Sequence, residues 1–232
     1  MSKSITKTEI VEGIKAGWPI CLGYLPIGIA FGVLAQKAGL DLLEIGLMSV
    51  VVFAGSAQFI AVSMISAGAA ALPIIITTFV VNLRHFLMSS SLAVFLGKSR
   101  RKKLALFAYG VTDESFAVNH PRFKQGRWGL AQALVVNHVS NFTWLISSLA
   151  GGYGGQFIPA HAFGIDYALI AMFISLLVIQ IKGLLYVFTA VIAGITAVAI
   201  SLIIPGNAYI VIASIIAATV GSIFRKRFKG KV

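Results

Sequence analysis

Apolar residues run almost unbroken through segments 17–37, 45–67, 72–97, 104–118, 130–150, 166–181, 184–204 and 207–224. About 20 such residues in a helix cross the hydrocarbon core of a bilayer, and most of these segments are long enough. They lack the period-two alternation of a membrane barrel. In lipid only helices and closed barrels satisfy the backbone. The pattern therefore predicts an all-α polytopic membrane protein. Three places break it. Segment 45–67 is interrupted by Ala54-Gly55-Ser56-Ala57-Gln58. Segment 72–97 carries Asn82, Arg84 and His85, and the short segment 104–118 holds Tyr109-Gly110-Val111-Thr112-Asp113-Glu114.

Composition supports the membrane reading. Of the 232 residues, 58% are hydrophobic and 11% charged, against about 25% charged in soluble domains. The net charge of +12 does not indicate nucleic acid, because no aromatic-basic interleaving accompanies it. Apart from Lys37, Arg84 and Lys182, the bases fall in four polar stretches: the N-terminus, Lys98 to Lys103, Arg122 to Arg127, and Arg225 to Lys231. Bases at helix ends mark the cytoplasmic side. Residues 1–16 read as a cytoplasmic lead-in and 225–232 as a cytoplasmic tail, within one transport domain over 1–232. The lead-in lacks the features of a cleavable signal. Gly151 to Ile165 reads as an outside loop.

Simple alternation puts the five bases of Lys98 to Lys103 outside. If segments 45–67 and 104–118 dip into the membrane and return, every basic stretch lands inside. That gives about six full spans plus two broken or re-entrant segments. The alternative is eight full spans with one basic loop misplaced. A weak repeat bears on this. Val80-Val81-Asn82 recurs as Val135-Val136-Asn137, and Phe53 to Val62 loosely matches Phe107 to Val118. Two copies entering from opposite sides form an inverted repeat, which in secondary transporters sets the substrate site at the repeat interface near the midplane.

Ionisable residues within spans are costly and by default point to function. Arg84 either serves structure, pairing with a carboxylate or capping broken-helix carbonyls, or clamps a substrate carboxylate with its planar fork. His85 is either a hydrogen-bonded structural residue or a proton carrier. Asp113 and Glu114 point about 100° apart on a helix, so one can face the interior. There it pairs with Arg84, binds a substrate ammonium or takes up a proton. The alternative sets both at the cytoplasmic interface. Gln58, Asn82, Asn137, His138 and Asn141 suit interhelical hydrogen bonds or substrate contacts. Gly28 and Gly32, with Gly23 on the same span, suit close helix packing, and Pro26 should kink or loosen that span. The single Cys21 allows no intrachain disulfide or cysteine metal site. No hydrolase, metal or phosphate-loop motif is present. An enzyme, a cofactor and a metal are therefore not expected, and active transport would draw on an ion gradient or a separate subunit.

Four blocks carry a family resemblance: Gly23-Tyr24-Leu25-Pro26-Ile27-Gly28-Ile29-Ala30-Phe31-Gly32, Phe53-Ala54-Gly55-Ser56-Ala57-Gln58-Phe59, Asn82-Leu83-Arg84-His85, and Thr112-Asp113-Glu114-Ser115-Phe116. In this order, across roughly 15–160, the chain resembles the AzlC family, the large subunit of branched-chain amino acid exporters. The resemblance implies an inner-membrane permease for leucine, isoleucine and valine with a small AzlD-type membrane subunit. Some relatives are associated with methionine. On this reading Arg84 engages the substrate carboxylate. Asn82, Gln58, Ser56, Gly55, Asp113 and Asn137 complete the substrate site, and Glu114, Asp113 and His85 are the proton-coupling candidates. The rival reading is a non-transporting membrane scaffold or accessory subunit, whose polar residues serve only packing.

Overall fold

The computed structural model describes residues 6–97, 99–126, 128–158, 183–203 and 208–228, with Ile174, Leu177, Val178 and Ile181. Among them the regular elements are all helices: α1 (Lys7–Lys37), α2 (Leu42–Val51), α3 (Gly55–Ser66), α4 (Ala71–Ala93), α5 (Arg101–Tyr109), α6 (Asp113–Lys124), α7 (Leu130–Gly155), α8 (Leu184–Ser201) and α9 (Ala208–Phe228). By length and composition α1, α4 and α8 can each cross a membrane. The expected segment 166–181 lies largely outside the described residues. The chain divides into two compact units, residues 1–63 with 81–166, and residues 64–80 with 167–232.

The first unit is built on α1 and α7. Thr6 and Glu9 form a capping box that starts α1, which at 1.5 Å per residue is about 46 Å long. The lead-in expected over 1–16 is therefore, from Lys7 onward, the first turns of the spanning helix. The helix also continues through Pro19 and Pro26. Small residues let α1 and α7 approach closely. A Cβ on Gly13 would lie 2.9 Å from the Gln132 carbonyl oxygen, one on Gly28 would overlap the Ser147 hydroxyl, and one on Gly155 would lie 3.2 Å from the Gln36 side chain. The contacts advance together along both helices, so α1 and α7 run parallel. This corrects the start of the expected outside loop, because Gly151 to Gly155 is helical; residues 159–165 lie outside the described residues. Gly151 and Gly152 are buried against α1 and α2, where a side chain would collide with the Ile29 carbonyl or with Ile45 and Leu42.

Both segments expected to be broken are broken. The first is interrupted between α2 and α3, where Phe53 has φ of 37°, a left-handed conformation suited to a sharp turn. The second is interrupted between α5 and α6, where Thr112 caps α6. There the chain doubles back. The Phe107 and Phe123 rings lie 6.4 Å apart, whereas a continuous helix would separate these residues by about 24 Å. Leu92 and Leu96, at the end of α4, pack with Phe107, Phe123, Ala133 and Leu134. The end of α4 therefore lies beside the start of α7. The bases of α5 and the end of α6 thus gather at the end of the unit where α7 begins, as do Lys7 and Lys15 of α1.

A short–break–short–long order occurs twice, as α2–α3–α4 and α5–α6–α7.

In the second unit α8 and α9 pack through Phe188 on Phe224, with ring centres 5.3 Å apart, and through Thr189 on Gly221. A cavity of about 430 Å³ lies there, lined among the described residues by uncharged side chains such as Leu185, Thr189, Ala193 and Ser222. Among the described residues the ion pair lies in the first unit.

Candidate functional site

One residue from each of three motifs, Ser56, Arg84 and Asp113, meets the others at one point. Arg84, from α4, places Nη1 2.6 Å from Asp113 Oδ2 and donates from Nη2 to the Ser56 hydroxyl. Asp113 and Ser56 belong to the first turns of α6 and α3. The guanidinium therefore sits where two helices begin, and each N-terminus carries roughly half a positive charge from its unsatisfied N–H groups. About a third of the Arg84 side chain and half of Asp113 remain exposed within the chain, so this pair is reachable, not sealed in a core.

Glu114 turns away from Arg84, as adjacent helical positions must. Its Oε2 accepts a 2.7 Å bond from the Tyr24 hydroxyl, which also lies 3.0 Å from Thr112 Oγ1. Tyr24 is near the middle of α1, buried edge-on against Trp144 at 5.3 Å. The site is thus at mid-height of the α1–α7 pair. Two carboxylates and one guanidinium leave one surplus negative charge. The two half-charges of the helix ends offset it, and a near-neutral site with separated signs suits a zwitterion.

Several polar atoms around this centre are buried with no hydrogen-bond partner among the described residues: Asn82 Oδ1, Arg84 Nε, His85 Nε2 and Gln58 Nε2. Gln58 is fully buried and uses its oxygen to accept the Ala54 N–H at 3.2 Å. Gly55 lies against the Trp144 ring, where a Cβ would be 3.4 Å away. Asn137 is differently placed. It donates to the Phe107 carbonyl at 3.0 Å and accepts from Asn119 at 3.1 Å, and Trp128 holds Asn119 in turn. Its amide is occupied by interhelical bonds. Asn141 and His138 likewise bond to Tyr109 and to the Leu134 carbonyl. Arg84, Ser56 and Asp113 therefore form one group, with Glu114 beside it on Tyr24 and with Gln58 and Asn82 nearby in sequence, while Asn137 anchors the α5–α6 break.

Tyr24 and Tyr109 were not singled out by the sequence. Tyr24 lies in a matching motif, but an aromatic within an apolar span gives no sign that its hydroxyl faces a carboxylate.

The family model described as AzlC protein matches residues 19–158. The chain belongs to the AzlC family. The match covers both broken segments and every residue of the Arg84 group. Among relatives, the chain is 30% identical over 174 residues to the inner membrane protein YgaZ of Escherichia coli, covering 72% of this chain and 71% of that one. It is 28% identical over 166 residues to the branched-chain amino acid transport protein AzlC of Bacillus subtilis, covering 70% of this chain and 64% of that one, just under two thirds of the relative's length. A membrane protein of Archaeoglobus fulgidus is 29% identical over 204 residues, covering 86% and 89%. No solved structure matches the chain. The chain is a membrane protein of a transport family.

Proposed function

We propose that this chain is a secondary exporter of branched-chain amino acids, valine, leucine and isoleucine, in a bacterial inner membrane. The observation that carries the reading is the Arg84–Asp113 pair at the start of two broken-segment helices. Half-helix N-termini at mid-depth are where secondary transporters receive substrate carboxylates. The substrate carboxylate competes with Asp113 for Arg84, whose Nε also lacks a partner. Asp113, released, takes the ammonium. Gln58 and Asn82 offer further polar contacts, and Gly55 and Ser56 leave room for an aliphatic side chain. The name of the Bacillus subtilis relative supports the substrate class.

The helix directions support a topology. The basic end of the first unit faces the cytoplasm by the charge bias. Parallel α1 and α7 then both start inside, which requires an odd number of crossings between them. With α5–α6 folded back and α4 crossing, α2–α3 must also return. Both broken segments are re-entrant on this reading, the repeat is inverted, and the N-terminus is cytoplasmic; the charge bias assigns the basic tail to the cytoplasm too. The small AzlD-type subunit implied by the resemblance completes the exporter.

Glu114, engaged by Tyr24 and not by Arg84, is assigned the coupling proton. Glu114→Gln is expected to retain valine exchange between the two sides but to lose acceleration by an imposed proton gradient. Exchange and gradient-driven efflux in the same liposomes measure both. The reading as a whole is tested by co-reconstituting the chain with its subunit and preloading labelled amino acids. Valine, leucine and isoleucine are expected to leave faster than lysine. Absence of efflux, with no rise in melting temperature on adding valine, would favour the scaffold.

A further inference from the structure

Each helix break removes backbone hydrogen bonds, and the structure names the side chains that replace them. In an unbroken helix the Ala54 N–H would donate to the Val50 carbonyl, four residues back. Here the Ala54 N–H donates to Gln58 Oε1 at 3.2 Å, and the Val50 carbonyl accepts from the Tyr109 hydroxyl at 2.5 Å. Both halves of one missing bond have thus been given partners. The second break is also held by side chains, although there they do not replace the two halves of one bond, since the Phe107 carbonyl also accepts the Gly110 N–H at 3.1 Å. Asn137 Nδ2 donates to the Phe107 carbonyl at 3.0 Å, and the Thr112 N–H donates to Ser115 Oγ at 2.8 Å. In each case a side chain from the following turn takes the N–H. A side chain from another helix takes the carbonyl.

Tyr109 has a second property. It is the last residue of α5, so it belongs to the second broken segment while capping the first. Its ring packs on Phe53, the left-handed residue of the first break, at 6.1 Å between centres. Asn141 Nδ2 donates to its hydroxyl oxygen at 3.3 Å, leaving the hydroxyl proton for Val50.

We propose that Tyr109 is a positioning residue for the site around Arg84: its hydroxyl holds the α2–α3 break open and so keeps Ser56, at the start of α3, against the Arg84 guanidinium. The functional consequence rests on the transport reading. The structural one does not. Without the hydroxyl, the turn between α2 and α3 loses its anchor to α5, and the start of α3 no longer keeps a fixed register with Arg84.

The test uses the full chain with its subunit in detergent and the variant Tyr109→Phe, which keeps the ring on Phe53. Amide exchange over residues 51–57 is expected to accelerate about tenfold, the effect of one lost hydrogen bond, with α1 and α7 unchanged. Valine is expected to bind about tenfold more weakly. Unchanged exchange over 51–57 would overturn the assignment. So would faster exchange with undiminished valine affinity, since the break would then not position the site. If exchange accelerates but the parental protein binds no valine, the transport reading fails and the role of Tyr109 in holding the break stands. If Tyr109→Phe does not fold, Gln58→Leu removes the other cap of the same break and is expected to accelerate exchange over the same residues. Unchanged exchange there would overturn the proposal.

Discussion

Valine efflux through the Arg84→Gln variant is expected to fall at least about 30-fold with the protein still folded. Truncating one member of a hydrogen-bonded charge pair costs about 2–5 kcal/mol. Arg84 and Asp113 are both partly exposed, so solvent screening favours the low end, and about 2 kcal/mol corresponds to the 30-fold figure. Glutamine can still donate to Asp113 or Ser56, which is why folding is retained. It cannot supply a positive fork to an incoming carboxylate. Arg84→Lys separates charge from geometry. A lysine keeps the charge as a point donor but cannot hold Asp113 and Ser56 in one plane, so efflux is expected between parental and Arg84→Gln rates. Parental efflux in Arg84→Gln, at equal protein level, would remove Arg84 from the substrate site.

The largest effect on stability is expected at Gly32. A Cβ there would lie 2.0 Å from the Ser148 carbonyl oxygen and 2.5 Å from the Gly152 nitrogen, both backbone atoms of α7. No rotamer change relieves such contacts, so the two helices must separate. Overpacking a tight interface costs about 1–3 kcal/mol and sometimes more, and backbone-on-backbone collision places Gly32→Ala at or above about 3 kcal/mol. Gly23→Ala is the control. It lies on the same helix, and a Cβ there meets nothing within 4 Å. Alanine favours a helix over glycine by about 1 kcal/mol, so its melting temperature in detergent should be unchanged or slightly higher. Equal melting temperatures for the two variants would show that α1 and α7 are not this close. Because Tyr24 and Trp144 belong to this pair, Gly32→Ala is also expected to weaken valine binding.

Much of this architecture was legible in the residues. The apolar runs fixed the helical class, since lipid offers the backbone few other solutions. The breaks at Ala54 and Thr112 were visible because Gly55-Ser56-Ala57-Gln58 and Thr112-Asp113-Glu114 set clustered polar and capping residues inside apolar runs. Arg84 and Asp113 stood out for the same reason, and their contact follows from the expense of leaving either charge alone in lipid. The glycines of residues 151–155 were read wrongly. A run of glycine suits a loop as well as a helix pressed against another backbone, and only the facing helix separates the two.

By itself, the sequence determined the membrane class, the two broken segments and the set of charges that had to find one another, because desolvation penalises each of these locally and independently of fold. Only the tertiary structure decided the parallel docking of α1 on α7, the fold-back of α5–α6 and the identity of the groups that cap the breaks. Those depend on which backbone atoms lie opposite one another across helices far apart in the chain. Tyr109 and Asn137 carry no local mark of the carbonyls they cap, since the bond is defined by the partner helix and not by the residues around them.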